Sequence, residues 1–459
     1  MKTEEHAEPT LRRAGRVARE AGEITEWDSV VETEVSHPHG WQIRRLRELI
    51  KRMDAGVSVN SEDRSAEKGE CGVLKTSAVT SGIFEARENK VILGSELKRA
   101  KISPIRDCII MSRMNTVGLV GANAYIPRTM SNLFLPDRLW LLTAKEGQVH
   151  MRWLAYVLGS PAYRSKLSSF ATGTSDSMKN ITKEDVGSLS LLLPPMPEQK
   201  AIADLLSAWD EAIEQTEQLI RAKNVSLRAL VQTTLGRRAA ISAGWPAVPI
   251  GSLFSEVSRK ARNQRLTPYS ISAGAGFVSQ MEKWGKDISG SQYENYTHLK
   301  AGEFAYNKGN SKSYPQGCAY LLKQGEICVP NVFICFKPKT QAVVPEFFEQ
   351  YFIAGFHSQE LKRYITSGAR SDGLLNLNKQ DFFRISVPCP PPETQRELAE
   401  AITSLQAEID LLRHMARNYK FQKRGLMQKL LTGEWRVSQE MLTNSVKLNP
   451  DQGKEASCR

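Results

Sequence analysis

Several features that would identify an enzyme or a membrane protein are missing from this 459-residue chain. No apolar run approaches the roughly 18–20 residues needed to span a bilayer. The N-terminal stretch MKTEEHAEPTLRRAGRVARE is polar and of mixed charge, without the apolar core of a secretory signal. These absences predict a cytoplasmic protein. The seven cysteines (Cys71, Cys108, Cys318, Cys328, Cys335, Cys389 and Cys458) are odd in number, scattered, and contain no C-x-x-C pair. They suggest neither a disulfide framework nor a zinc site, and they read as reduced thiols. The seven histidines form no H-x-x-x-H pair, so no metal site is expected. A G-x-x-x-x-G-K-[ST] loop, which cradles nucleotide phosphates, is absent. So is an N/D-P-P-Y/F tetrapeptide of the amino-methyltransferase kind: the prolines at 194–197 and 388–392 have other neighbours. Gly274-Ala275-Gly276 is a lone fragment rather than a cofactor loop. No catalytic residue and no cofactor bound by this chain is predicted.

What the chain does have is basic charge: +12 overall, with a pI near 9.3. Such an excess attracts polyanions, nucleic acid or an anionic membrane surface. The length exceeds what one compact core ordinarily holds, so at least two domains are expected.

An internal repeat supplies the architecture. NITKEDVGSLSLLLPPMPEQKAIADLL (180–206) and NLNKQDFFRISVPCPPPETQRELAEAI (376–402) align at a shift of 196 residues. The shift superposes Asn180 on Asn376, Lys183 on Lys379, Asp185 on Asp381, the proline pairs 194–195 and 390–391, and Gln199 on Gln395. Gly40-Trp41 recurs as Gly244-Trp245, and the Gly-Thr-Ser-Asp segment at 173–176 has a counterpart in Gly-Ala-Arg-Ser-Asp at 368–372. Between these marks the halves diverge. A variable block thus alternates with a better-matched helical block, twice.

The helical blocks carry heptads. Ile202, Leu206, Trp209, Ile213, Thr216, Ile220, Lys223, Leu227 and Leu230 advance by alternating steps of four and three. Leu398, Ile402, Leu405, Ile409, Leu412, Ala416, Tyr419, Lys423 and Leu426 do so in the same phase. A 3.5-residue period keeps one seam facing a partner helix. Each helix follows a proline-rich stop, with Glu198 or Glu393 suited to the positive end of the dipole and Gly236 or Gly433 expected to terminate it. Each helix, about 39 residues, would be roughly 58 Å long. With a globular block between them, the two can pack antiparallel. The predicted fold is therefore mixed α/β, with two globular α/β domains joined by two long antiparallel coiled-coil helices in a pseudo-two-fold repeat. The predicted organisation is a charged extension at 1–39, a first domain at 40–193, a first spacer helix at 194–237, a second domain at 244–388, a second spacer helix at 389–433, and a tail at 438–459. The block openings are basic, and Arg44–Arg52 fits an amphipathic helix.

With these residues in view, LPPMPEQKAIADLLSAWDEAIEQTEQLI and RGLMQKLLTGEWRV resemble the conserved-region helices of type I restriction–modification specificity subunits. The resemblance covers about residues 41–437. The second copy departs from the pattern by placing Thr394 between Glu393 and Gln395, although its heptads keep phase. The resemblance implies a non-catalytic reader of double-stranded DNA, each recognition domain taking one half of a split, asymmetric target. It also implies two modification (methyltransferase) subunits docked on the helices, with restriction subunits joining. S-adenosylmethionine, ATP and Mg are then expected on those partners and not on this chain. Apolar residues outside the seam, Leu205, Leu219, Leu411 and Met427, are candidates for subunit docking or for packing against the chain's own domains.

DNA affinity comes mainly from cations on phosphates, and specificity from side chains that reach base edges. The candidate contacts in the first domain are Arg113 and Asn115, with Thr174 and Ser175. In the second they are Arg259, Lys260 and Arg262, then Tyr306, Asn307, Lys308, Asn310 and Lys312, with Arg370 and Ser371. Amides suit adenine and cations suit guanine. A different class of function, a coiled-coil adaptor presenting two protein-binding heads, also explains the duplication but leaves the basic charge unused.

Overall fold

A computed structural model describes residues 38–175, 178–262, 264–286, 290–309, 314–365 and 375–438, together with 440 and 442. It divides into two units, one of residues 1–213 with 418–459 and the other of residues 214–417.

In the first unit the opening strand Gln42–Arg45 pairs antiparallel with the closing strand Ser190–Leu193, matching Gln42 to Leu193 and Arg45 to Ser190. This pairing closes the block on itself just before the proline turn. It also overrides the helical pattern at Arg44–Arg52: only the single turn Leu46–Leu49 is helical, and the chain continues as the strand Ile50–Ala55. The core sheet is four-stranded and antiparallel, in the order 50–55, 139–144, 108–112, 123–126. Cys108–Ser112 is buried along its whole length, as expected for a central strand covered on both faces. Helix Met151–Gly159 packs Trp153, Leu154 and Leu158 into that core.

The second unit repeats the plan. Ala247–Pro249 pairs with Ser386–Pro388, and the core sheet runs in the order 254–256, 334–338, 304–307, 318–321. Phenylalanines fill it. The Phe254 ring meets those of Phe304, Phe336 and Phe348 edge-on at centroid distances of 5.7, 5.2 and 5.2 Å, and such pairs add to simple area burial. Helix Pro345–Ile353 buries Phe347, Phe348 and Phe352 against it. The two blocks differ in their added strands. The first carries a further four-stranded sheet made from residues 61–62, 72–74, 89–92 and 133–134, and the second carries the pairs 269–272 with 276–279 and 297–300 with 326–329.

The long helices are Met196–Leu235 and Pro392–Leu431, each 40 residues. In the first unit their seam is antiparallel. Trp209 meets Tyr419 edge-on at 5.8 Å, Lys423 pairs with Asp210 at 2.5 Å, and Ile202 and Leu206 are fully buried. Within the second unit Lys223 pairs with Glu408 at 2.8 Å, and Ile402 and Ile409 are buried. There the seam positions Ile220, Leu227, Leu398, Leu405 and Leu412 are half-buried. Leu227, Leu398 and Ile402 also join that unit's core. Gly433 terminates the second helix in the left-handed region at φ 76°, where glycine carries no steric penalty. Gly236 directly follows the last residue of the first helix, Leu235, but at φ −66° and ψ 157° rather than in the left-handed region, and it also starts the short helix Arg237–Ser242.

Candidate nucleic-acid interface

The core strand Cys108–Ser112 leaves the first block's interior at Arg113. The Arg113 backbone is fixed at both ends, its N–H donating to the Arg138 carbonyl at 3.0 Å and its carbonyl accepting from Ile181 at 3.1 Å. Its guanidinium lies 5.9 Å from the Trp140 ring centroid, a cation–π distance. The chain then forms the short strand Met114–Asn115. This strand pairs with Met178–Asn180, which in turn pairs with Thr172–Ser175. The three-stranded sheet thereby brings Asn115 and the Gly-Thr-Ser segment, far apart in sequence, onto one edge of the block. Asn115 opposes Lys179 in register, and the Lys179 ammonium donates to the Gly173 carbonyl at 2.7 Å. Gly173 has φ 129°, and a Cβ there would lie 2.9 Å from the Met178 carbonyl; the tight approach needs glycine. Met178 is exposed. The sequence indicated Thr174 and Ser175 but not Met178 and Lys179, because the far strand of the hairpin is visible only once the pairing is known.

The second block builds the same crossing. The Lys308 carbonyl accepts from Leu375 at 3.0 Å, and the Lys308 ammonium reaches the Leu377 carbonyl at 3.4 Å. Asn307 holds its own turn, accepting from Gly309 at 2.8 Å. Each crossing segment runs into a capped short helix. Thr182 and Asp185 form a capping box before Lys183–Ser188, and the Asn378 side chain accepts from Asp381 at 2.7 Å before Lys379–Arg384. The residues aligned by the repeat here perform the same local task.

Tyr306, expected at the DNA interface, does not reach it. It is fully buried, its hydroxyl donates to the Gln316 carbonyl at 2.5 Å, and its ring stacks near Phe382 at 4.8 Å. It is a core residue on a strand covered on both faces and cannot reach a base while the sheet is intact. Arg259 is bound to Glu303 at 2.5 Å, which commits its charge internally. Lys260 is exposed and donates to the Asn295 carbonyl at 3.0 Å, and Arg262 is exposed. Asn310, Lys312, Arg370 and Ser371 lie outside the described residues, as do the side chains of Thr174 and Ser175. In the first block's basic opening, Arg44 pairs with Glu48 and Arg52 with Asp54. Of the apolar helix residues, Leu205 and Met427 pack against the first unit's own core, whereas Leu219 and Leu411 are exposed.

Burial raises the thiol pKa of Cys108 and Cys335 to about 12 and that of Cys318 to about 11, so these thiols stay protonated and unreactive. Among the described residues, no cluster of three or more His, Cys, Asp or Glu is placed to hold a metal ion. Likewise, no described helix is long and apolar enough to cross a membrane.

The family model for the Type I restriction modification DNA specificity domain matches residues 38–222 and 278–417. The chain belongs to the type I restriction–modification specificity family. It is 26% identical over 186 residues to the type I restriction enzyme EcoEI specificity subunit of Escherichia coli, a match that spans 40% of this chain and 31% of that one. It is 20% identical over 440 residues to the EcoKI specificity subunit of Escherichia coli strain K12, covering 87% of this chain and 91% of that one. In fold it is similar to the type I restriction–modification S subunit from M. genitalium, with a TM-score of 0.54 at 16% identity over 87% of this chain and 98% of that chain.

Proposed function

We propose that this chain reads a split, asymmetric sequence in double-stranded DNA, each block recognising one half, and carries no catalytic activity itself. The observation that supports this most is the repeated plan: the same four-stranded core order occurs twice, and in each block the segment leaving the core accepts a backbone hydrogen bond from the segment before the capped helix, at Arg113 and at Lys308. In the first block Asn115, Lys179 and the 172–175 strand would face DNA, and in the second Asn307 and Lys308, with Lys260 and Arg262 on phosphates. Half-sites about one helical turn, roughly 34 Å, apart suit such a reader. Two modification subunits would dock on the long helices, where Leu219 and Leu411 are exposed. Those subunits would supply S-adenosylmethionine and methylate adenine. Restriction subunits would bring ATP and Mg. The complex would work in the cytoplasm, where the DNA is.

Single-molecule sequencing of adenine methylation, in cells with and without this gene and with its modification partner supplied, tests the reading. Loss of methylation at one split motif supports it. An unchanged map with an active partner would favour the adaptor function instead.

A further inference from the structure

The residue that the repeat aligns at the start of both long helices joins the same two places in both units, the preceding proline turn and the cap of the block's last helix. Gln199 is buried; its amide nitrogen donates to the Pro194 carbonyl at 2.8 Å, and its amide oxygen accepts from His150 at 2.9 Å. His150 caps the block-closing helix Met151–Gly159. Gln395 is likewise buried; its nitrogen donates to the carbonyls of Pro390 at 2.7 Å and Ala342 at 2.8 Å, and its oxygen accepts from Val344 at 2.8 Å. Val344 is the cap residue of Pro345–Ile353. One planar amide thus ties the proline turn, the first turn of the long helix and the cap of the block's last helix. Only an amide both donates and accepts in this way; a carboxylate lacks the donor and an apolar side chain lacks both.

We infer that Gln199 and Gln395 are positioning residues for DNA reading: each fixes the direction in which a long helix leaves its own recognition block. This rests on the split-target reading above. The first turn of a helix is the part least held by its own hydrogen-bond ladder, so a side-chain clamp there joins the packing of Ile202 and Leu206, or of Ala399 and Ile402, in setting the angle. The consequence is geometric. A rotation of about 10° at the start of a 40-residue helix, roughly 60 Å long, displaces its far end by about 10 Å. That is about three base-pair steps at roughly 3.4 Å each. Loosening a clamp therefore blurs which half-site spacings are accepted, without touching the residues that read each half.

The two clamps are not equally supported. Beside Gln199, the buried Glu198 carboxylate accepts from the Trp41 indole at 2.9 Å and pairs with Arg436 at 2.6 Å. The repeat places Thr394, with no carboxylate, at the equivalent position. Gln395 variants should accordingly act more strongly than Gln199 variants.

The test uses the full chain co-expressed with its modification subunit, assayed by methylation of duplexes that carry both half-sites with the native spacer or one base pair more or fewer. For Gln395→Met we expect the preference for the native spacer over its neighbours to shrink about tenfold, with the half-site bases unchanged, and for Gln199→Met a smaller shrinkage. An unchanged spacer preference overturns the inference, as does an equal loss on all spacers. Failure of both Gln395→Met and Gln395→Glu to fold would reduce Gln395 to a stability role and overturn it too. If the unaltered complex methylates no split target, the failure is of the reading beneath the inference, and it shows in that arm alone.

Discussion

Arg436 and Glu198 are 238 residues apart in sequence and joined by two hydrogen bonds, Nε to Oε1 at 2.6 Å and Nη2 to Oε2 at 2.8 Å. The carboxylate is almost wholly buried while the guanidinium is partly exposed, and it pairs in the forked geometry that makes arginine–carboxylate contacts strong. Arg436→Ala should leave the Glu198 charge buried with only the Trp41 indole and cost about 1–3 kcal/mol in urea unfolding. Adding Glu198→Gln to that variant should restore part of the loss, because the uncompensated charge is then gone. Additive losses from the two changes would mean the pair is not the source of the stability.

Acid should destabilise the second unit through His357. Its ring is fully buried against Phe352 and Tyr306, and among the described residues neither nitrogen has a hydrogen-bond partner. Burial alone pushes its pKa down from 6.5 to about 4. Between those values the unfolded chain binds a proton that the folded chain does not, so stability falls as pH drops from 6.5 and the loss is complete near pH 4. The full loss is about 3 kcal/mol. His357→Phe should flatten this part of the stability–pH profile, and an unaltered slope would assign the acid sensitivity elsewhere.

At the first block's edge, Asn115 and Lys179 should respond differently. Lys179→Ala should weaken binding to all duplexes alike and lower the salt-dependence slope by about one, as for a phosphate contact. Asn115→Ala should cost about 1–3 kcal/mol on the cognate half-site and relax one base position. Anisotropy titrations of the complex on cognate and singly altered duplexes, at several salt concentrations, distinguish these outcomes.

Tyr306 should behave as a core residue. Tyr306→Phe should leave half-site selectivity unchanged, whereas Tyr306→Ala should lower stability by about 3–5 kcal/mol, in the range of other buried aromatics. A selective loss of one half-site in the stable Tyr306→Phe variant would return this residue to the interface.

The parts legible in the sequence were those where one residue performs one local job twice. Asp185 and Asp381 each complete a helix cap, Gln199 and Gln395 each clamp a helix start, and the heptad positions Ile202, Ile213, Ile402 and Ile409 are buried as their period requires. What escaped depended on distant partners. Arg44–Arg52 has helical spacing, but Ser190–Leu193 claims Gln42–Arg45 as a strand. Tyr306 stands beside amides and lysines that suggest a loop, yet its strand is central and buried on both faces, so no alternation marks it as interior. Arg436 lies in the string RGLMQKLLTGEWRV, yet nothing local points to Glu198 as its partner.

The second unit is an uninterrupted stretch, residues 214–417, whereas the first is made from two pieces, and its core includes Leu430 and Val437 from the second piece. On the ribosome, domains close as their residues emerge. The block encoded later can therefore complete itself first. The block encoded first can close its sheet early, but its long helix must wait, with the Ile202 and Leu206 face uncovered, until residues 418–437 have been synthesised. Chaperone dependence and aggregation during synthesis should accordingly concentrate in the earlier-made half, and a nonsense codon shortly after residue 417 should spare the later-made half alone.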